Sequence, residues 1–174
     1  MMKKLNAVLG LAAFLVNTVH CFLTSLSMIV PLPFTVPVFF PRGLAAIVLA
    51  HILLSVLTLF ACTDTRGAVS YPKKNYDLTI QRIAGFLSLI FLTLHVLQNT
   101  LHVFSSFTVI LVIEVLFILL IEVHIAVSVP RGLLSLGTVR TQKGCIGAMI
   151  FSYAISFLLT AFAFAVFAIE IFGA

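Results

Sequence analysis

The feature that most constrains this chain is a succession of five long apolar runs, at about residues 5–30, 43–62, 78–103, 107–129 and 144–172. A helix needs about 20 apolar residues to cross the hydrocarbon layer of a bilayer, and an apolar run of that length reads as such a crossing. Five crossings use nearly all of the 174 residues and leave no room for a soluble domain. Charged residues make up only 9% of the chain, against roughly 25% in an ordinary soluble domain. The expected fold is all-α, a single integral membrane bundle of five transmembrane helices. The formal charge of +5 does not point to nucleic acid, because the basic residues stand between the apolar runs, where they orient helices in a membrane.

The connections follow from residues that cannot continue a helix or enter lipid. Pro31, Pro33, Pro37 and Pro41 make 31–42 a connection, since proline lacks the N–H a helix interior needs. Residues 63–77 hold most of the loop charges, 104–107 form a tight turn, and 130–143 form a basic link whose first half can still be helical. Lys3, Lys4, Arg66, Lys73, Lys74, Arg82, Arg131, Arg140 and Lys143 then fall on one side, and Arg42 alone on the other. Lys and Arg are in excess on the cytoplasmic side, which puts the N-terminus inside and the C-terminus outside a multi-pass protein of the inner (cytoplasmic) membrane. The first run follows a basic start, as a signal peptide does, but continues to about Val30 and contains a histidine. It reads as a retained first helix.

Five histidines lie in or beside these runs: His20, His51, His95, His102 and His124, so that each of the first four spans carries at least one and the fifth none. An ionisable side chain in a membrane is costly and faces the bundle interior or a polar partner. One such histidine is readily a satisfied packing residue. One on each of four successive helices is harder to dismiss: a bis-histidine haem takes two imidazoles from facing helices, so four such helices can hold two haems in a bundle core. Gly10 precedes His20 by ten residues, and Gly85 precedes His95 by ten. That spacing is nearly three turns, so glycine and histidine share a face on which a flat macrocycle or a neighbouring backbone can come close. His20 and His95 lie 16 and 13 residues beyond Lys4 and Arg82, roughly 20–24 Å at helical rise, and thus at similar depth in the outer half. His124 is nearer the cytoplasmic face, and counting alone lets His51 pair at more than one depth. His102, near the outer end of the third run, reads as a surface or quinone-side residue. Cys21, Cys62 and Cys145 form neither Cys-x-x-Cys nor Cys-x-x-Cys-His, so haem would be held noncovalently.

The stretch Ile80-Gln81-Arg82-Ile83-Ala84-Gly85, followed by His95-Val96, resembles the third helix of the cytochrome b membrane-anchor subunit of succinate dehydrogenases and fumarate reductases, in its five-helix, diheme branch. His51 through Phe60 and Gly67 to Ser70-Tyr71 looks like that family's second helix and following loop. His124 with Gly132-Leu133 resembles its fourth helix, and Lys4-Leu5 through Gly10 to His20 its first. The resemblance implies haem b at two sites, with His20 and His95 as axial ligands of the distal haem and His51 and His124 of the proximal one. It also implies a flavoprotein subunit and an iron–sulfur subunit on the cytoplasmic face, and a membrane quinone as redox partner. The chain departs from the family in its short outer loops, in lacking a Ser-Gly pair early in the first helix, and in carrying Pro130 in the fourth.

Other polar residues in apolar surroundings need a reason to be there. Glu114 and Glu122 stand in the fourth run, where an ionised carboxylate without a partner is expensive. Some family members have a glutamate two residues before the fourth-helix histidine, as Glu122 is here, thought to pass protons across the membrane. Glu122 with Glu114 is thus a candidate proton path, set against two neutral acids bonded to neighbouring helices. Arg131, seven residues after His124, can meet a haem propionate if the helix passes Pro130. Gln98, Asn99 and His102 are candidate quinone-side residues or simply helix-end residues. The chain has no flavin or iron–sulfur motif, so it would be one non-catalytic-alone subunit of an enzyme. Its rivals are a stand-alone transmembrane cytochrome b and a haem-free transporter or scaffold. The charge asymmetry makes a direct prediction: alkaline phosphatase fused after Ala174 is active, and fused within 63–71 it is inactive. The reverse pattern would invert the topology.

Overall fold

The computed structural model describes residues 2–30, 39–61 and 72–172; Pro31, Pro33, Pro37, Cys62, Arg66, Gly67, Ser70 and Tyr71 lie outside them. Five helices follow in order, α1 (Met2–Ile29), α2 (Phe39–Ala61), α3 (Pro72–Leu101), α4 (Phe107–Leu136) and α5 (Gln142–Phe172). All five are long and apolar enough to cross a membrane. No more than 22% of any spanning window is buried inside the protein, and large side chains such as Leu15, Leu49, Phe86, Phe157 and Leu158 are exposed around the outside. That surface suits lipid as its solvent, and the chain is a multi-pass membrane protein.

The helices outrun the apolar stretches where polar residues can still be helical beyond the hydrocarbon. α3 begins at Pro72, six residues before the apolar run, with proline at its start, where a missing N–H costs nothing. Pro41 falls in the first turn of α2 for the same reason. The largest difference is α4, which does not stop at Pro130 but continues to Leu136. Its end is set by Gly137, at φ 75°, whose N–H reaches Leu134 O at 3.1 Å while Thr138 N–H reaches Leu133 O at 3.1 Å. This is the paired-bond C-terminal motif that glycine favours.

Why α4 tolerates Pro130 is visible on the neighbouring helix. Proline has no N–H to give to the carbonyl four residues before it, which here belongs to Ala126. Ser152 of α5, fully buried, donates its hydroxyl to Ala126 O at 3.1 Å and approaches Ile125 O at 3.4 Å. A neighbouring serine thus satisfies the carbonyl that proline widowed, as lipid cannot. Phe14, Ile125 and Val129 form the apolar core beside it, with Leu11, Ile121, Leu133 and Ile155 packed around them.

Helix neighbours give the order α2–α1–α4–α3, with α5 packed against α1 and α4. Among the described residues α2 packs on α1 alone, and no contact joins α2 to α3. The first four helices therefore form an incomplete ring whose diagonals are α1/α3 and α2/α4. Replacing Ser152 with Ala should cost about 1–3 kcal/mol, the penalty of an unsatisfied buried acceptor, and much less in a Pro130→Ala background. Unfolding of the four proteins in detergent measures this; equal costs in both backgrounds would show that Ser152 does not serve the widowed carbonyl.

Candidate functional site

Each of the four histidines within the spans comes to one of the two diagonals. The imidazoles of His20 on α1 and His95 on α3 lie within electrostatic reach of each other, and so do those of His51 on α2 and His124 on α4. Among the described residues no backbone contact joins α1 to α3 or α2 to α4, so this reach is between side chains. Among the described residues no three of His, Cys, Asp and Glu converge as they would on a bare metal ion. The histidines are grouped in twos.

His51 and His124 are held by one device used twice. His51 Nδ1 stands 3.2 Å from Asn6 O, and His124 Nδ1 stands 3.0 Å from Gln81 O. A carbonyl only accepts, so Nδ1 carries the proton and donates it; the Nε2 lone pair of His51 is left for a ligand, whereas that of His124 faces the Ser128 hydroxyl. The residue four positions after each carbonyl is glycine: Gly10 after Asn6 and Gly85 after Gln81. A helical Cβ leans back over the preceding turn, into the space the ring occupies. A Cβ on Gly10 would lie 2.9 Å from His51 Cε1, and one on Gly85 would lie 2.8 Å from both Cε1 and Nδ1 of His124. What comes close to these glycines is the imidazole of the next helix, rather than a backbone.

Serines complete the repeat. Ser128 Oγ, four residues after His124, lies 3.4 Å from His124 Nε2, and Ser55, four residues after His51, donates to Asn6 Oδ1 at 3.2 Å. Asn6, Ser55 and Ser128 were not singled out by sequence reasoning, and Gln81 entered only as part of the third-helix resemblance. Their signal was a duplication: a carboxamide four residues before glycine, then histidine four residues before serine, once in α1–α2 and again in α3–α4.

The depth of His51, open from counting, follows from its contact. It sits at the level of Asn6, and His124 at the level of Gln81; each of those carbonyls lies fourteen residues before His20 or His95. At helical rise the two layers are about 21 Å apart along the helices. A cleft of about 1100 Å³ opens beside the His51 layer, lined among others by Lys3, Gly10, His51, Asp77, Gln81 and Arg131. Because α4 passes Pro130, Arg131 reaches this cleft, near Asp77 and Arg82.

The second layer is built differently. His95 Nδ1 lies 2.7 Å from Glu114 Oε2 and 2.9 Å from Oε1, and its ring stacks on Phe117 at 5.0 Å. Asn99 donates to His95 O at 2.9 Å, while Gln98 Oε1 accepts Phe104 N–H at 2.8 Å and so closes the turn after α3. His102 is exposed, outside the helix, at φ 49°. Glu114 and Glu122 turn to different helices. Glu122 is 5% exposed beside Ser156 of α5, with no hydrogen-bond partner on Oε2, at a cavity of about 360 Å³ that Tyr153 and Thr160 also line.

No protein-family model, curated protein or solved structure matches the chain. The donor set and its geometry are therefore the basis for any functional reading. Two observations here suit haem: imidazoles within electrostatic reach of one another in pairs, and, at His51 and His124, an Nδ1–H fixed by a helix carbonyl. Gly85→Ala and Gly10→Ala should each push an imidazole off its carbonyl and cost about 1–3 kcal/mol. Detergent unfolding with histidine ¹⁵N NMR checks this; an unmoved Nδ1–H signal would show that the glycines do not seat the rings.

Proposed function

We propose that this chain is the diheme cytochrome b membrane anchor of a succinate:quinone oxidoreductase, a succinate dehydrogenase or fumarate reductase. The observation that carries the reading is one histidine on each of four bundle helices, with His20 within electrostatic reach of His95 and His51 within reach of His124. His20 with His95 and His51 with His124 would each hold one haem b, as the family resemblance expects. Bound haem supplies one-electron redox cycling of its iron. The chain's own residues orient the ligands: Asn6 and Gln81 carbonyls fix the His51 and His124 tautomers, and the glycines beneath leave the rings their place.

Electrons would pass between an iron–sulfur subunit, docked with a flavoprotein subunit on the cytoplasmic face, and a membrane quinone. The basic residues around 63–77 and 130–143 suit that docking face, and two layers about 21 Å apart suit a relay across the membrane. Arg131 lines the cleft of the His51 layer, which supports its pairing with a haem propionate there. Asn99 and His102 remain quinone-side candidates at the outer end of α3, whereas Gln98 has its carbonyl oxygen taken up by the turn. Glu122, buried with an unpartnered oxygen, is the better placed of the two carboxyls for passing a proton; Glu114 is bonded to His95.

A reduced-minus-oxidised spectrum with a haem-to-protein ratio tests the reading. The expected ratio is about two, falling on replacement of His20, His51, His95 or His124 and unchanged on replacement of His102. Well-folded protein without haem would leave the transporter or scaffold alternative, and haem without co-purifying soluble subunits would leave the stand-alone cytochrome. In the assembled complex Glu122→Gln should abolish quinone turnover with haem content intact; unaltered turnover would remove Glu122 from the proton path.

A further inference from the structure

The ligand arrangement is uneven in one respect, the acceptor each imidazole uses. His51 and His124 donate Nδ1–H to neutral backbone carbonyls. His95 instead points Nδ1 at the carboxylate of Glu114, at 2.7 and 2.9 Å from its two oxygens, with the pair largely shielded at 28% and 14% side-chain exposure. Asn99 Nδ2 also comes within 3.3 Å of that nitrogen. With the proton on Nδ1 directed at the carboxylate, this approach is donor to donor, and Asn99 directs one of its two N–H groups to His95 O. Stacking on Phe117 of α4 fixes the ring plane. His95 is therefore tied to α4 at Glu114 and Phe117. The duplicated half of the molecule offers no equivalent, since α2 contains neither Asp nor Glu.

We propose that Glu114 is a positioning residue for His95 that selectively stabilises the ferric state of the haem held by His20 and His95. This rests on the diheme reading. The carboxylate accepts a charge-assisted hydrogen bond, roughly twice as strong as a neutral one, which draws the Nδ1 proton away and makes Nε2 a stronger donor to iron. It also places a negative charge one residue from a centre that is more positive when oxidised. In a low-dielectric bundle that attraction is weakly screened. Both effects lower the midpoint potential of this haem relative to one whose ligand donates to a neutral group, and neither touches the His51/His124 haem in the other layer.

The experiment is a redox titration of the haem absorbance of the purified full-length chain, wild type and Glu114→Gln, with haem stoichiometry and low-spin EPR on the same samples. Glutamine keeps an acceptor oxygen and the side-chain volume while removing the charge. The expected result is two haems in both proteins, with one midpoint raised by about 59 mV, which corresponds to a tenfold loss of ferric preference. The same haem should change its EPR g values, and the other should not move. Two retained haems with both midpoints unchanged, or with both shifted equally, would overturn the inference while leaving the diheme anchor standing. If Glu114→Gln loses haem, near-infrared magnetic circular dichroism of the wild-type protein decides. One charge-transfer band displaced towards an imidazolate-like ligand supports the role, and two indistinguishable bands overturn it. Wild-type protein that folds without haem overturns both this inference and the reading beneath it.

Discussion

The structure depends on one constraint: inside lipid, a polar group has to find its hydrogen-bond partner within the protein. Water is not there to take up an unpaired N–H or C=O, and each one left unpaired costs several kcal/mol. Helices solve this for the backbone, and α1 to α5 are the consequence. The same requirement governs the exceptions. Pro130 removes one N–H from α4, and Ser152 of α5 supplies a hydroxyl to the carbonyl left over. Imidazoles bring further N–H groups into the membrane, and His51, His124 and His95 each place Nδ1 at a helix carbonyl or a carboxylate.

That shared solution explains why glycine accompanies the histidines. A helix carbonyl has a second lone pair to offer, but the Cβ one turn later normally covers it. Gly10 and Gly85 uncover it at two positions, so the Nδ1–Cε1 edge of a ring from the next helix can come close to the backbone and be held by it. The result is an imidazole with a defined tautomer on a rigid element, the condition for a ligand of predictable orientation. The device recurs because α1–α2 and α3–α4 repeat the same arrangement of carboxamide, glycine, histidine and serine.

The repeat is broken where the two halves are packed differently. α4 is packed on three sides, by α1, α3 and α5, whereas α2 among the described residues rests on α1 alone. The carboxyls lie on the well-packed helix, Glu114 turned to His95 and Glu122 turned to Ser156. A carboxyl is tolerated in the membrane where neighbouring helices supply partners and exclude lipid; α2 offers no such shelter and carries none. One half of the bundle is thus a simple scaffold for an imidazole, and the other adds charge to the same frame.

The sequence by itself determined that this chain crosses a membrane as five helices and that four of them carry histidines, because hydropathy, length and residue identity are local properties. It placed the helix ends only to within several residues. α4 outran Pro130 since the compensating donor, Ser152, is 22 residues away on another helix. Counting along the chain put His20 and His95 at one depth, but it left His51 open because its level is set by a carbonyl on α1 rather than by anything in α2. The glycines were visible, yet their use was not: residues ten apart on one helix suggested a shared face, whereas the contact that matters joins each glycine to a histidine of the following helix. Only the tertiary structure decided which carbonyl holds His51 and which holds His124, and that Glu114 belongs to His95. Those facts depend on how helices pack, and helix packing brings together residues that no spacing along a single helix relates.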